Sequence, residues 1–211
     1  MIWQEYFGGN ICVVNLLSRN DRLKAATELL NRLEINFEVW EATENKEKPI
    51  LGLVDSMQRY FRKVLEAGGE RSLVFEDDIS PLVDAKEFNE TMDKCISQLP
   101  NDWDLFYLGC NVAHGVQGFY SENLVTLKMA YATHAVAYSK RAMEFVVNRE
   151  IKEPFDNCLV RDFQPNAKVF CSYPMLFTQN ESYSDIEKRN TDYSRFLEGR
   201  FNAAIKKIKP C

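Results

Sequence analysis

Three consecutive acids, Glu76-Asp77-Asp78, end the short apolar run Ser72-Leu73-Val74-Phe75 and give way to Ile79-Ser80-Pro81. A run of that length reads as a buried strand, and the sudden carboxylates mark where it surfaces. Ligands of open α/β sheets bind at the carboxyl ends of strands. Adjacent carboxylates repel, and a bound divalent cation relieves that most directly. Hard oxygen donors suit Mg²⁺ or Mn²⁺, which usually hold a substrate phosphate as well. A solvated acidic turn is the plainer alternative, since charge runs mostly face water. The surrounding elements favour the metal site.

Other residues offer chemistry less convincingly. Asp102-Trp103-Asp104 also has acidic spacing, Asp-x-Asp. It precedes its strand, so it belongs at the opposite edge of the sheet and is read as a decoy. His134, in a small-residue strand, is read as a core histidine before a metal ligand. His114, in a loop containing Gly, His and Gln, is better placed for substrate but has no evident partner. Six cysteines, at 12, 95, 110, 158, 171 and 211, form no C-x-x-C pair, so zinc is not expected. Cys12 and Cys171 fall in buried strands as small core hydrophobes, and reduced thiols are expected.

The elements that would position the acids emerge from periodicity. Residues 10–17 form a buried strand, then Ser18 or Asn20 caps a helix over 20–33 with Leu23, Ala26, Leu30 and Leu33 on one face. Residues 36–40 give a second strand, hence a β-α-β start with a parallel pair. Val54, Met57, Phe61, Val64 and Leu65 mark a second helix, stopped at Gly68-Gly69. Asp84 opens a capping box for the helix carrying Phe88, Met92, Cys95, Ile96 and Leu99. Strands are expected at 103–108, 124–129, 133–138 and 168–173, with the middle two open to antiparallel pairing. Residues 111–123 read as a mobile loop, Ser139 caps a helix to 148, and another helix begins near Pro154. The expected fold is α/β, one domain over 1–211 with a mixed, mostly parallel sheet.

Composition narrows the function classes. The chain has 211 residues, 45% hydrophobic and 27% charged, as in ordinary globular proteins. A net charge of −5 and a pI near 5.2 argue against a nucleic-acid binder. No apolar stretch approaches the ~20 residues that span a bilayer. Met1-Ile2-Trp3-Gln4-Glu5-Tyr6 lacks a basic region and a long apolar core, so it is not read as a secretory signal and a cytoplasmic location is expected. A C-terminal helix over about 192–209 has one apolar face and several cations. It either lies peripherally on an anionic membrane or docks on the domain, the second being favoured.

Several segments together resemble glycosyltransferase family 25, which includes lipooligosaccharide and collagen galactosyltransferases. ICVVNLLSRNDRL is similar to the family's first strand and Arg-rich turn, SLVFEDDIS to its strand ending in Glu-Asp-Asp, and DWDLFYLG to its next strand. ATHAVAYSKRAMEFV, PFDNCL and FTQNESYSDIE continue the order. The resemblance implies a GT-A fold, a divalent metal and an inverting transfer of a hexose, commonly galactose from UDP-galactose, to a glycan, glycolipid or glycoprotein acceptor. Gly52-Leu53-Val54-Asp55-Ser56-Met57 departs from the family by lacking a histidine after its serine.

The resemblance also gives the residues roles. Asp78, with help from Asp77 or Glu76, would ligate the metal that stabilises the departing diphosphate. On a continued pleat Asp77 points the other way, toward ribose or donor sugar. Asn15, Ser18, Arg19 and Arg22 follow the first strand and would face the nucleotide, an arginine there being able to neutralise phosphate. A base must deprotonate the acceptor hydroxyl. Asp156 is preferred, and Asp185 would then contact donor or acceptor.

Overall fold

A computed structural model describes residues 1–112, 115–180, 182–184, 189–191 and 194–208. In chain order the strands are β1 (Ile11–Asn15), β2 (Glu38–Glu41), β3 (Arg71–Glu76), β4 (Ile79–Pro81), β5 (Leu105–Tyr107), β6 (Asn111–Val112), β7 (Val116–Phe119), β8 (Leu124–Leu127), β9 (Ala130–Tyr131), β10 (Ala135–Ser139), β11 (Val169–Ser172), β12 (Phe177–Gln179), β13 (Ser182–Ser184) and β14 (Arg189–Thr191). The helices are α1 (Ile2–Tyr6), α2 (Asn20–Arg32), α3 (Pro49–Glu66), α4 (Ala85–Gln98), α5 (Lys140–Val147), α6 (Phe155–Cys158) and α7 (Ser194–Ile208).

Eight strands form one mixed sheet in the order β2-β1-β3-β10-β5-β11-β8-β7. Six of them, β1 included, share one direction, and β10 and β8 oppose them. β10 and β8 are the two strands that the sequence left open to antiparallel pairing with each other. Each instead lies between strands running the other way. The stretch read as a mobile loop holds β6 and β7, with β7 at the sheet edge.

Apolar clusters cover both faces, which is why β1, β3 and β5 are buried nearly throughout. One cluster takes Val13, Leu73 and Phe75 with Leu30 of α2 and Phe88 of α4. The other takes Cys12, Val14 and Val74 with Tyr60 and Phe61 of α3, Phe155 of α6 and Phe201 of α7. Each such fully buried side chain contributes about 1.5–3 kcal/mol. Alternation along β3 therefore aims Glu76 at the α3 and α6 face, behind Val74.

Two expected caps form: Asp84 accepts from Glu87 N at 2.9 Å, and Ser139 Oγ accepts from Ala142 N at 3.3 Å. At α2 neither Ser18 nor Asn20 caps, and the N-cap is Arg19, with no side-chain cap bond. Asn15 instead ties this turn, donating to the Arg19 carbonyl. In α7, Leu197, Phe201 and Ile205 are 1%, 1% and 4% exposed and sit in the core. The apolar stripe that membrane insertion would require is thus already buried, so the docked-helix reading holds. No helix among the described residues is long and apolar enough to cross a membrane.

Candidate active site

The end of β3 opens into a cleft of about 630 Å³, within the usual range for small-molecule sites. Glu76, Asp77, Asp78, Ser18, Arg22 and Asp156 all line it. β3 is held between β1 and β10, so each acid meets a different neighbour. The strand ends at Glu76 and residues 77–78 turn. The pleat that was expected to align Glu76 with Asp78 does not continue.

Asp77 turns toward the β1 side. Asn15 Nδ2 donates to its Oδ2 at 2.7 Å, and Arg22 Nη1 donates to its Oδ1 at 3.0 Å. Asn15 is only 3% exposed, and its bond to the Arg19 carbonyl, at 3.2 Å, links the β1–α2 turn to the acids. Arg22 Nη1 lies 3.9 Å from Asp78 Oδ2. Asp78 faces Gln179 Nε2 at 3.4 and 3.5 Å, and its carbonyl accepts from Asn180 N at 2.7 Å.

Glu76 turns to the β10 side. Thr133 Oγ1 donates to Glu76 Oε1 at 2.7 Å, and Glu76 N donates to the His134 carbonyl at 2.9 Å. Asp156, opening α6, accepts from Ala132 N at 3.3 Å on Oδ2 and from Asn157 N at 2.9 Å on Oδ1. Ala132 has φ +66°, an uncommon left-handed conformation for a residue with a Cβ. Burial, then the charges of Asp78, Asp77 and Asp156, push the Glu76 carboxyl up to about 8, against the Thr133 bond. Burial and the Asp77 charge also raise Asp78, with Arg22 opposing.

Charge along the wall decides what can bind. Five acids, Glu44, Glu76, Asp77, Asp78 and Asp156, face two bases, Arg22 and Lys46. An anionic diphosphate entering there needs a cation. The donors are hard oxygens, which fit Mg²⁺ or Mn²⁺. They do not form a ready-made cage. Among the described residues, only Glu153, Cys158 and Asp162 form a group of three or more candidate ligands within 4.8 Å of one another. Those two carboxylates already pair with Arg161, and Asp162 also with Arg149. The triplet instead fits a cation held by one or two carboxylates and completed by phosphate and water, the usual habit of Mg²⁺.

The remaining sequence candidates separate clearly. Arg19 does not line the cleft, and its guanidinium pairs with Asp21 at 3.3 Å. Asp185 and His114 lie outside the described residues. His134 is wholly buried, with Nε2 3.5 Å from the Phe177 carbonyl, and burial lowers it to about 4, so the ring is neutral. Gly109 is packed below it: a Cβ there would lie 2.5 Å from His134 Nε2. Asp104 is buried and bound to Arg141, and Asp102 pairs with Lys168. Sequence reasoning missed Thr133, Gln179 and Asn180. It also missed the lining turn at residues 42–46, whose Thr43 carbonyl approaches α3 where only Gly52 fits; a Cβ there would meet it at 2.4 Å. Gln179 opens the Gln-x-x-x-x-Ser-Asp-Ile segment, the one signal that could have found it.

In sequence, the chain matches no known family profile and no curated protein. Its structure is similar to a glycosyltransferase involved in the glycosylation of the major capsid of PBCV-1. The TM-score is 0.54 at 13% identity, over 84% of this chain and 95% of that one. It also matches a mutant Drosophila galactosyltransferase 7 in complex with manganese, UDP-Gal and xylobiose (TM-score 0.46, 11% identity, 86% and 74% covered). An apo UDP-glucose pyrophosphorylase matches at TM-score 0.44 and 10% identity, over 85% and 77%. The fold is the GT-A type, an α/β architecture around a central mixed, mostly parallel sheet.

Proposed function

We propose that this chain is a metal-dependent, inverting glycosyltransferase that moves a hexose, galactose by the resemblance to family 25, from a UDP-sugar to a hydroxyl of a glycan, glycolipid or glycoprotein. The observation that carries this reading is the convergence of the triplet, Arg22 and Asp156 in one acid-rich cleft at the carboxyl end of β3. Asp78, with help from Glu76, would hold Mn²⁺ or Mg²⁺. A cation there supplies positive charge for the diphosphate that departs as the anomeric bond breaks.

The chain's own groups divide the remaining work. Asn15 and Arg22 fix Asp77, leaving it to meet ribose or donor sugar. Ser18 and the β1–α2 turn face the nucleoside. Arg22 adds positive charge beside the phosphates. Asp156 is the base. Each of its oxygens accepts one backbone N–H, and spare lone pairs remain to take the acceptor's proton. Asp185 would contact donor or acceptor.

The deciding assay incubates the protein with UDP- and GDP-sugars, with and without Mn²⁺, and monitors nucleotide release. Metal-dependent UDP release from one sugar, lost in Asp78→Asn, is the expected result. Binding without release would leave a nucleotide-sugar-binding module. Phosphate release from plain nucleotides would mark a phosphohydrolase.

A further inference from the structure

Gln164 is 3% exposed and lies outside the cleft lining, yet its carboxamide makes three hydrogen bonds. Its Oε1 accepts from Ala130 N at 2.8 Å, and its Nε2 donates to the Ala130 carbonyl at 2.8 Å and to Tyr107 Oη at 3.0 Å. Tyr107 Oη itself donates to the Ala130 carbonyl at 3.3 Å. Among the described residues β9 pairs only with β6, Tyr131 opposite Asn111 and Ala130 opposite Val112. The amide of Gln164 therefore occupies the place of a neighbouring strand's peptide, bonding both backbone groups of one residue.

The residues just past Ala130 give this clamp its consequence. Two positions on, Ala132 N donates to Asp156, and one further, Thr133 Oγ1 donates to Glu76. Gln164 and Asp156 sit on one continuous helical stretch, α6 with a widened π-type turn at Leu159–Phe163 and then a 3-10 turn at Gln164–Asn166. That stretch thus grips residues 130–133 at two points, through Gln164 and through Asp156. The left-handed Ala132 is the residue whose N–H must be aimed, and such backbone persists only where its surroundings hold it.

We propose that Gln164 is a positioning residue: by clamping Ala130 it fixes the segment that joins Asp156 to Glu76, and so sets the base against the metal-side acids. This rests on the reading of Asp156 as the base. A misplacement of about 1 Å can cost on the order of 10²-fold in rate, so a buried amide can matter without touching substrate.

The test is a double-mutant cycle on the full chain. Gln164→Leu should lower kcat for transfer about 10-fold or more while Mn²⁺–UDP binding by calorimetry stays within about twofold. In an Asp156→Asn background the same change should cost less than about twofold further, because the residue acts through Asp156. Equal losses in both backgrounds, or binding lost in step with kcat, would overturn the proposal. Should Gln164→Leu not fold, Tyr107→Phe removes the two bonds of the clamp that use the Tyr107 hydroxyl and leaves both Gln164–Ala130 bonds, so it should give a weaker loss, about threefold, with the same non-additivity. A crystal structure of the folded variant reads the Ala132–Asp156 separation directly, and a bond kept near 3.3 Å sinks the idea. That measurement decides even if Asp156→Asn is too slow to assay. If Asp156→Asn transfers normally, the base reading fails, and the crystal distance still judges the positioning.

Discussion

The chain carries two acidic clusters beside strands, and they have opposite fates. Asp104 precedes β5 and is 4% exposed. Arg141 Nη1 donates to its Oδ2 at 2.7 Å and Lys168 N at 2.8 Å. Asp102 pairs with the Lys168 ammonium, whose hydrogen bond holds its carboxyl below the usual range. Glu76, Asp77 and Asp78 end β3 with Arg22 as their one ion-pair partner among the described residues. Glu76 and Asp78 are pushed up by burial and by their neighbours. The first cluster has met its charge with protein, whereas the second has one arginine among three acids.

The largest test of this contrast is catalytic. Asp78→Asn should cut metal-dependent UDP release by on the order of 10²–10³-fold. Asp102→Asn, on the exposed pair at the other edge, should leave it within about twofold. Equal losses would erase the distinction between the clusters.

Stability should sort them the other way. Asp104→Ala removes two charge-assisted bonds and leaves half-exposed Arg141 without its carboxylate. It should cost about 2–3 kcal/mol in denaturant unfolding, with turnover per folded molecule unchanged. Asp78→Asn relieves repulsion and should be neutral or stabilising without metal. Urea midpoints for the two variants, measured without divalent ions, check both signs.

Glu76 sets the pH dependence. Folded, it holds its proton to about 8, whereas an ordinary glutamate loses it near 4.5. The stability this group contributes is full below about 4.5 and fades as pH rises through about 8. Asp78 shifts in the same direction. Mn²⁺ should therefore raise Tm more at about pH 8 than at about pH 5.5, since ligands must lose their protons to bind. Glu76→Gln should flatten the metal-free profile. A Tm gain from Mn²⁺ independent of pH would contradict this coupling.

The same contrast separates what the sequence made legible from what it hid. The position of an acid relative to its strand is local, so the triplet and the decoy could be told apart from Ser72-Leu73-Val74-Phe75 and from Leu105-Phe106-Tyr107 alone. The caps at Asp84 and Ser139 are local too. Partners brought by register are not. Thr133 reaches Glu76 because β10 pairs antiparallel with β3, and Gln179 reaches Asp78 because β12 pairs with β4. Nothing in either neighbourhood announces that pairing. The apolar stripe of α7 was visible, but what it packs against was not. Arg19 looked equivalent to Arg22, and one helical turn separates a side chain bound to Asp21 from one bound to Asp77.

The smallest predicted effect refines the acidic end of β3 itself. Asn15 is the sole residue of β1 bonded by its side chain to the triplet among the described residues, donating to Asp77 at 2.7 Å. Asn15→Ala removes that bond and the one to the Arg19 carbonyl, yet Arg22 still holds the other oxygen of Asp77 at 3.0 Å. The carboxylate should loosen without leaving. A hydrogen bond to a retained charge is worth on the order of 1 kcal/mol here, which converts to about fivefold in donor KM with kcat little changed. If kcat falls instead, Asp77 works in the transition state and belongs with Asp78. If neither moves, Arg22 alone suffices to orient it, and Arg22→Lys, which keeps charge without the planar fork, becomes the sharper probe.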